Sequence, residues 1–166
     1  MAVASAIFAQ TLEMPDVFLD ELPLASMKSG NEQPKRKTQY RKNCIGKPQR
    51  LGGVTYERGI GDHAGHDFAV ELVYALKPEY RRFVSLVGVD DQTGHRGSLR
   101  VQVYVDDQLK AKTPILHGGQ ELYYFDLELP RGAKQLCLVI DDAGDGYDYD
   151  DADYVNAGFL VSVPHK

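Results

Sequence analysis

From Asp16 onward, apolar and polar residues alternate along much of the chain. Leu99, Val101, Val103 and Val105 are interleaved with Arg100, Gln102, Tyr104 and Asp106. Tyr123, Phe125, Leu127 and Leu129 alternate with Tyr124, Asp126 and Glu128. Phe68, Val70, Leu72 and Tyr74 alternate with Ala69, Glu71 and Val73. A period of two places one set on a buried face and the other on a wetter one, which predicts strands. Two runs, FVSLVGV (Phe83 to Val89) and LCLVI (Leu136 to Ile140), are apolar on both faces and predict central strands. VFLDEL (Val17 to Leu22) and NAGFLVSV (Asn156 to Val163) are candidates for the first and last strands.

Turn chemistry separates these runs at DDQTG, VDDQ, HGG and LPRGAK. The stretch from Ser26 to Pro48 is polar and turn-rich and predicts one short strand at most. No segment sustains a helical period, and there is no internal repeat. Several short strands in one chain of this length predict an all-β fold, an antiparallel β-sandwich of jelly-roll type.

The 166 residues suffice for one domain with a real core. No apolar run approaches the length of a membrane span, so no membrane insertion is expected. A net charge of -5 argues against a nucleic-acid partner. The exception is Lys35 to Lys47, whose six basic residues make either a solvated loop or a phosphate-binding strip. Two cysteines, Cys44 and Cys137, exclude a disulfide-dense scaffold and leave one bridge or two thiols open. Residues 1–15 are expected to be a disordered N-terminus or the remnant of a signal peptide, because MAVASAIFAQ is small and apolar but lacks a basic start. The folded domain is expected over 16–163.

The densest candidate chemistry lies in DAGDGYDYDDADYVNA, Asp142 to Ala157. Asp142, Asp145, Asp148, Asp150, Asp151 and Asp153 are interleaved with Tyr147, Tyr149 and Tyr154. Like charges so close repel and raise one another's pKa values. A solvated loop, a hard-cation site or a polar recognition site with aromatic platforms would each tolerate them. The register does not match an EF-hand loop, although another kind of cation site fits the residue types. Adjacent aspartates in one loop are poorly suited to the acid and base of glycoside hydrolysis, which must face each other across a cleft. His63 and His66, flanked by Asp62 and Asp67, could supply zinc ligands, but H-x-x-H in a glycine-containing loop is common by chance. No nucleophile elbow, P-loop or dinucleotide fingerprint is present. Asp, Asn, His and Tyr together suit sugar recognition, in which planar polar groups hold hydroxyls and an aromatic face covers the ring.

The order of motifs is more specific than any one of them. VFLDEL is followed by GGVTYERGIGDHAGHDFAVEL, then FVSLVGVDDQTGHRGSLRVQVYVDD, then DLELPRGAKQLCLVIDDAGDGYDYDDADYVNAGF. This series resembles the NPCBM domain, carbohydrate-binding module family fifty-one, from about Asp16 to Val161. The resemblance implies a galactose-binding-domain-like jelly roll and a non-catalytic, lectin-like module of secreted glycoside hydrolases. It also implies a galactose-containing or related glycan as partner, a structural calcium, and a secreted, periplasmic or cell-surface location. His63 and Ala64 match the family's H-A turn, Asp90 and Asp91 its V-G-V-D-D, and Asp142 to Gly146 its D-A-G-D-G. Asp150, Ala152 and Asp153 match three positions of its D-H-A-D-W, while Asp151 replaces the His and Tyr154 the Trp. The implied site has His63 and Tyr154 lining a shallow surface, with Asp151 and Asp153 accepting from sugar hydroxyls. Asp20, Asp142, Asp145 and Asp150 are the implied calcium ligands. The alternatives are a structural or protein-interaction sandwich that has lost sugar binding, and a hydrolase using the acidic carboxylates.

Overall fold

The computed structural model describes residues 12–28, 38–65, 69–119 and 121–161. His66, Asp67, Phe68 and the basic residues 35–37 lie outside them. The strands in chain order are β1 (Val17–Phe18), β2 (Ser26–Lys28), β3 (Gln39–Tyr40), β4 (Gln49–Leu51), β5 (Val54–Tyr56), β6 (Gly59–His63) and β7 (Val70–Ala75). They continue with β8 (Tyr80–Val89), β9 (Ser98–Val105), β10 (Gln108–Lys112), β11 (Leu116–His117), β12 (Leu122–Glu128), β13 (Gln135–Asp141) and β14 (Asp151–Val161). One sheet has the order β12-β8-β14-β6-β3, with β1 on β14. The other has the order β10-β9-β13-β7-β2, with β11 on β9. Every pairing is antiparallel. The two sheets pack as a sandwich.

The core follows from the alternation. Leu99, Val101, Val103 and Val105 of β9 are buried, while Arg100, Gln102 and Tyr104 stay partly exposed on the outer face. The two doubly apolar runs are central: β8 lies between β12 and β14, and β13 between β7 and β9. Between the sheets, Tyr80 stacks on Phe159 with centroids 4.3 Å apart. Phe83 packs against Phe125 and Phe159 in the same layer. Neither Cys44 nor Cys137 is in a disulfide.

Two expected strands have different limits. VFLDEL is a strand only at Val17–Phe18, after which Leu19–Glu21 turn into a 3-10 helix. The last strand begins at Asp151, five residues before the apolar run NAGFLVSV. Its start therefore lies inside the acidic stretch, and only Asp142 to Asp150 form a loop. Asn156, at φ 46°, marks a register shift between Val155 and Gly158.

The outer face of the β8/β14/β6 sheet is covered by the segment from Lys42 to Leu51. Gly61 permits this, because a Cβ there would lie 2.3 Å from Lys42 O and 2.6 Å from Asn43 Cα. The covering segment is pinned through β8's end. Asp91 accepts from the backbone N–H groups of Gly52 (3.0 Å) and Gly53 (2.7 Å), the turn between β4 and β5. Asp90 accepts from Arg50 N (3.1 Å), Asn43 Nδ2 (3.4 Å) and Gln92 N (2.9 Å). The V-G-V-D-D pair thus closes a hairpin that lies about forty residues earlier in the chain.

Candidate functional site

The register of β14 decides what its acidic residues do. Asp151 pairs with His63, and Asp153 with Gly61 of β6 and Gly88 of β8. A strand alternates its faces, so Asp151 and Asp153 point outward while Ala152 and Tyr154 point into the core. Outward here means toward the covering segment, and both aspartates are buried.

Tyr154 is only 1% exposed, among the core residues. Burial holds its phenol well above the ordinary value, and its hydroxyl has no hydrogen-bond partner among the described residues. The expected aromatic wall at Tyr154 is therefore corrected: the ring offers no face to a sugar. A buried hydroxyl without a partner costs roughly 1–3 kcal/mol. Tyr154→Phe is expected to keep or raise the melting temperature and leave glycan affinity unchanged. Parallel thermal scans and calorimetric titrations check this, and a tenfold loss of affinity would restore Tyr154 to the binding surface.

Asp153 is corrected in the same way. Its Oδ1 accepts from Gln49 Nε2 at 3.0 Å. Burial, and then the adjoining Asp90, push its carboxyl well above the usual range. It is a link in a buried network and is not available to a sugar hydroxyl.

His63 is fully buried. Its Nδ1 lies 2.7 Å from Ala64 O, a group that can only accept, so Nδ1 carries hydrogen. Nε2 faces Asp151 Oδ1 at 3.2 Å, and that contact bonds only if the pair holds a second proton. Tyr147 meets the ring edge-on, with centroids 6.1 Å apart. The other oxygen of Asp151 accepts from Gln92 Nε2. Gln92 is exposed, so the His63–Asp151 pair acts beneath the surface by fixing a surface amide.

The four expected calcium ligands do not converge. Asp20 accepts from Arg58 Nη2 (2.5 Å), Arg58 Nε (3.0 Å) and Gly59 N (2.9 Å). Burial works against its charge, but Arg58 and the Gly59 amide hold its carboxyl below the ordinary value. Gly59 starts β6, whereas Asp150 O accepts from Ala64 N just beyond its other end. At ~3.3 Å per residue these points are about 16 Å apart, too far to share an ion. Asp150 Oδ1 accepts from Ser98 N (2.8 Å), Asp145 from Ser98 Oγ (2.5 Å), and Asp142 from Gly144 N (2.9 Å). Asp150 Oδ2 is buried without a partner among the described residues. Its carboxyl is pushed up to about 8, first by burial and then by Asp145, Asp142 and Asp151. Protonation would remove the charge that burial disfavours at Asp150. Among the described residues no three His, Cys, Asp or Glu side chains are grouped to hold a metal ion. The zinc candidates His66 and Asp67 lie outside those residues. Asp62 faces inward, accepting from Thr38 Oγ1 at 2.6 Å.

The surface above this network is formed by two laced loops, 90–98 and 142–150. Gly97, at φ 88°, lets them touch, since a Cβ there would lie 2.1 Å from Tyr149 O. Tyr149 is 40% exposed, and the Arg96 guanidinium lies 4.0 Å from its ring centroid. Arg96 is itself steered by its Nε–H donating to Thr93 O at 3.0 Å. Gln92, Arg96 and Tyr149 are exposed here, together with His95, Asp145 and Asp148. Sequence reasoning noted Tyr149 among the interleaved tyrosines but had no signal for Gln92 or Arg96.

The model of the NPCBM/NEW2 domain matches residues 15–160. The chain belongs to the NPCBM/NEW2 family. The family-fifty-one module from a Clostridium perfringens family-95 glycoside hydrolase, solved with methyl-galactose, is similar over 87% of this chain and 99% of its own. Its identity is 29% and its TM-score 0.76. The second such module of C. perfringens ZmpB, solved with GlcNAc, is 28% identical with a TM-score of 0.74. That match covers 86% of this chain and 30% of the other. A provisional endo-alpha-N-acetylgalactosaminidase of Renibacterium salmoninarum is 31% identical over 119 residues, 72% of this chain. The chain spans only 8% of that relative's length. This NPCBM/NEW2 domain is a carbohydrate-binding module of the family-fifty-one type, and as a domain it is non-catalytic.

Proposed function

We infer that the module binds neutral glycans ending in galactose or an N-acetylhexosamine, at the surface made by Gln92, Arg96 and Tyr149. The observation that carries this reading is the exposed Tyr149 ring clamped by Arg96, beside an amide fixed from below by Asp151 and His63. An aromatic face with planar polar neighbours is what a pyranose needs. The methyl-galactose and GlcNAc bound by the two clostridial modules support the sugar class. Calcium is not part of the reading, because the nominated carboxylates do not converge. The relatives support a role as an accessory module of a larger glycoside hydrolase.

The test is a glycan array on the folded domain, followed by titration of Tyr149→Ala and Gln92→Ala. Each substitution is expected to weaken binding about tenfold, the scale of a lost aromatic contact or a lost fixed hydrogen bond. The second reading, a sandwich that has lost sugar binding, is favoured by the burial of His63, Asp153 and Tyr154. A folded domain that binds nothing on the array would establish it.

A further inference from the structure

The outer face of the other sheet holds a groove remote from this surface. Its volume is about 420 Å³, and it is lined by Glu71, Gln102, Tyr104, Asp107, Cys137 and Val139. Ligand sites commonly enclose ~300–1,000 Å³. We propose that this groove is a second carbohydrate site, one that takes a neutral oligosaccharide of at least two residues.

The strand register sets the geometry. Val139 of β13 stands between Glu71 of β7 and Gln102 of β9. One pleat along, Cys137 stands between Val73 and Tyr104. Strands are ~4.8 Å apart, so Glu71 and Gln102 flank Val139 across about 10 Å. A pyranose laid on Val139 and Cys137 covers its apolar face and turns its hydroxyls toward both flanks. The two rows are about 7 Å apart along the strands, which extends the floor to a second ring over Tyr104.

The polar groups on the rim keep unused hydrogen-bonding capacity. Glu71 sits on β7 between Val139 of β13 and Lys28 of β2, with its carboxylate on the rim of the groove. Tyr104 donates its hydroxyl to Gln102 Oε1 at 3.2 Å, which leaves the Gln102 amide hydrogens free. Asp107 is held over the end of the groove by Gln135 Nε2, 3.4 Å from its Oδ1. A carboxylate acceptor, an amide donor and a phenolic oxygen thus surround one apolar strip, which is a hydroxyl-reading set.

Charge narrows the ligand. Glu71 and Asp107 are acidic, and none of the described residues lining the groove is basic, although Lys112 of β10 pairs with Gln102 one strand beyond the rim. Arg100, on the same face, is held by Asp141 at 3.0 Å. Sialylated, sulfated and uronic sugars are therefore disfavoured by like charge. A protein partner is a poorer fit, since Val139, Cys137 and one tyrosine ring are far short of the ~800 Å² each partner usually contributes. The Cys137 thiol, pushed up to about 11 by burial and then by Glu71 and Asp107, stays protonated and acts as an apolar floor group.

Backbone-amide NMR of the isotope-labelled full chain tests this. The probes are linear neutral tetrasaccharides of galactose, glucose and N-acetylglucosamine, with a sialylated tetrasaccharide as control. At least one neutral probe is expected to shift the amides of Glu71, Gln102 and Cys137 saturably, while the sialylated one leaves them still. Tyr104→Ala should weaken that response about tenfold. Tyr149→Ala should leave it intact while abolishing shifts in the 90–98 and 142–150 loops. Loss of the loop response alone thus counts against the first site only. The groove proposal is overturned if no neutral probe moves its amides at millimolar concentration. A dispersed spectrum with unchanged affinity in Tyr104→Ala overturns it too. So do groove signals that move with protein concentration alone, which would mark a face between two copies of the chain.

Discussion

Arg58→Ala is expected to destabilise the domain by about 3 kcal/mol, because it strands the fully buried Asp20 carboxylate. Arg58 supplies two nitrogens to Asp20, and its guanidinium also lies 3.8 Å from the Phe18 ring centroid. The Asp20 side chain is 0% exposed and Arg58's is 26%. Removing the cation leaves the carboxylate with Gly59 N at 2.9 Å and a longer contact to Arg41 at 3.4 Å. Breaking a buried pair typically costs ~3–5 kcal/mol, and the partial exposure of Arg58 places this one at the lower end. At ~2–4 °C per kcal/mol, the melting temperature should fall by about 6–12 °C. The same experiment with a chelator separates the two readings of Asp20. If Asp20 serves Arg58, chelation leaves the wild-type melting temperature unchanged. If it holds calcium, chelation reproduces the loss and Arg58→Ala costs little.

Asp20 also shows where reading the chain reaches its limit. The strands with a clean period of two, β7, β9 and β12, were legible because one face meets a hydrophobic core and the other is wetter. The central position of β8 and β13 was legible from runs apolar on both faces. The start of β14 was not, because D-A-D-Y carries carboxylates where a strand usually shows solvent-facing neutral groups. Those carboxylates face the underside of the Lys42 to Leu51 segment, a contact across about a hundred residues between Gln49 and Asp153. No local pattern encodes such a lid. The same one-residue register sends Tyr154 inward, and aromatic character alone does not say which face a residue takes. The motif D-D at Asp90 and Asp91 was legible as a turn, but its partners, the amides of Arg50, Gly52 and Gly53, carry no side-chain signature.

The domain is expected to be more stable near pH 5 than near pH 8.5, by at least about 5 °C in melting temperature, the scale of ~2 kcal/mol. Three buried carboxyls set the sign. Asp150 is pushed up to about 8, Asp62 to about 6, and Asp153 well above the ordinary range, in each case first by burial. Each therefore keeps its proton in the folded chain at a pH where the unfolded chain, near 3.8, has released it. Between those values the folded state binds more protons, so stability falls as pH rises. The contribution is whole below about pH 4. It is lost in steps as pH passes about 6 for Asp62 and about 8 for Asp150. Asp20, lowered by Arg58, works in the opposite sense and weakens the fold only toward acid pH, which places the optimum on the mildly acidic side. Asp150→Asn keeps an acceptor for Ser98 N and removes one titration, so it should make the fall between about pH 4 and pH 8 shallower. Thermal scans of both proteins across pH 4 to 9 read this directly. A wild-type curve that rises toward pH 8 would refute the protonated cluster. The same rise appearing only when calcium is added would place a cation, in place of the proton, on Asp150.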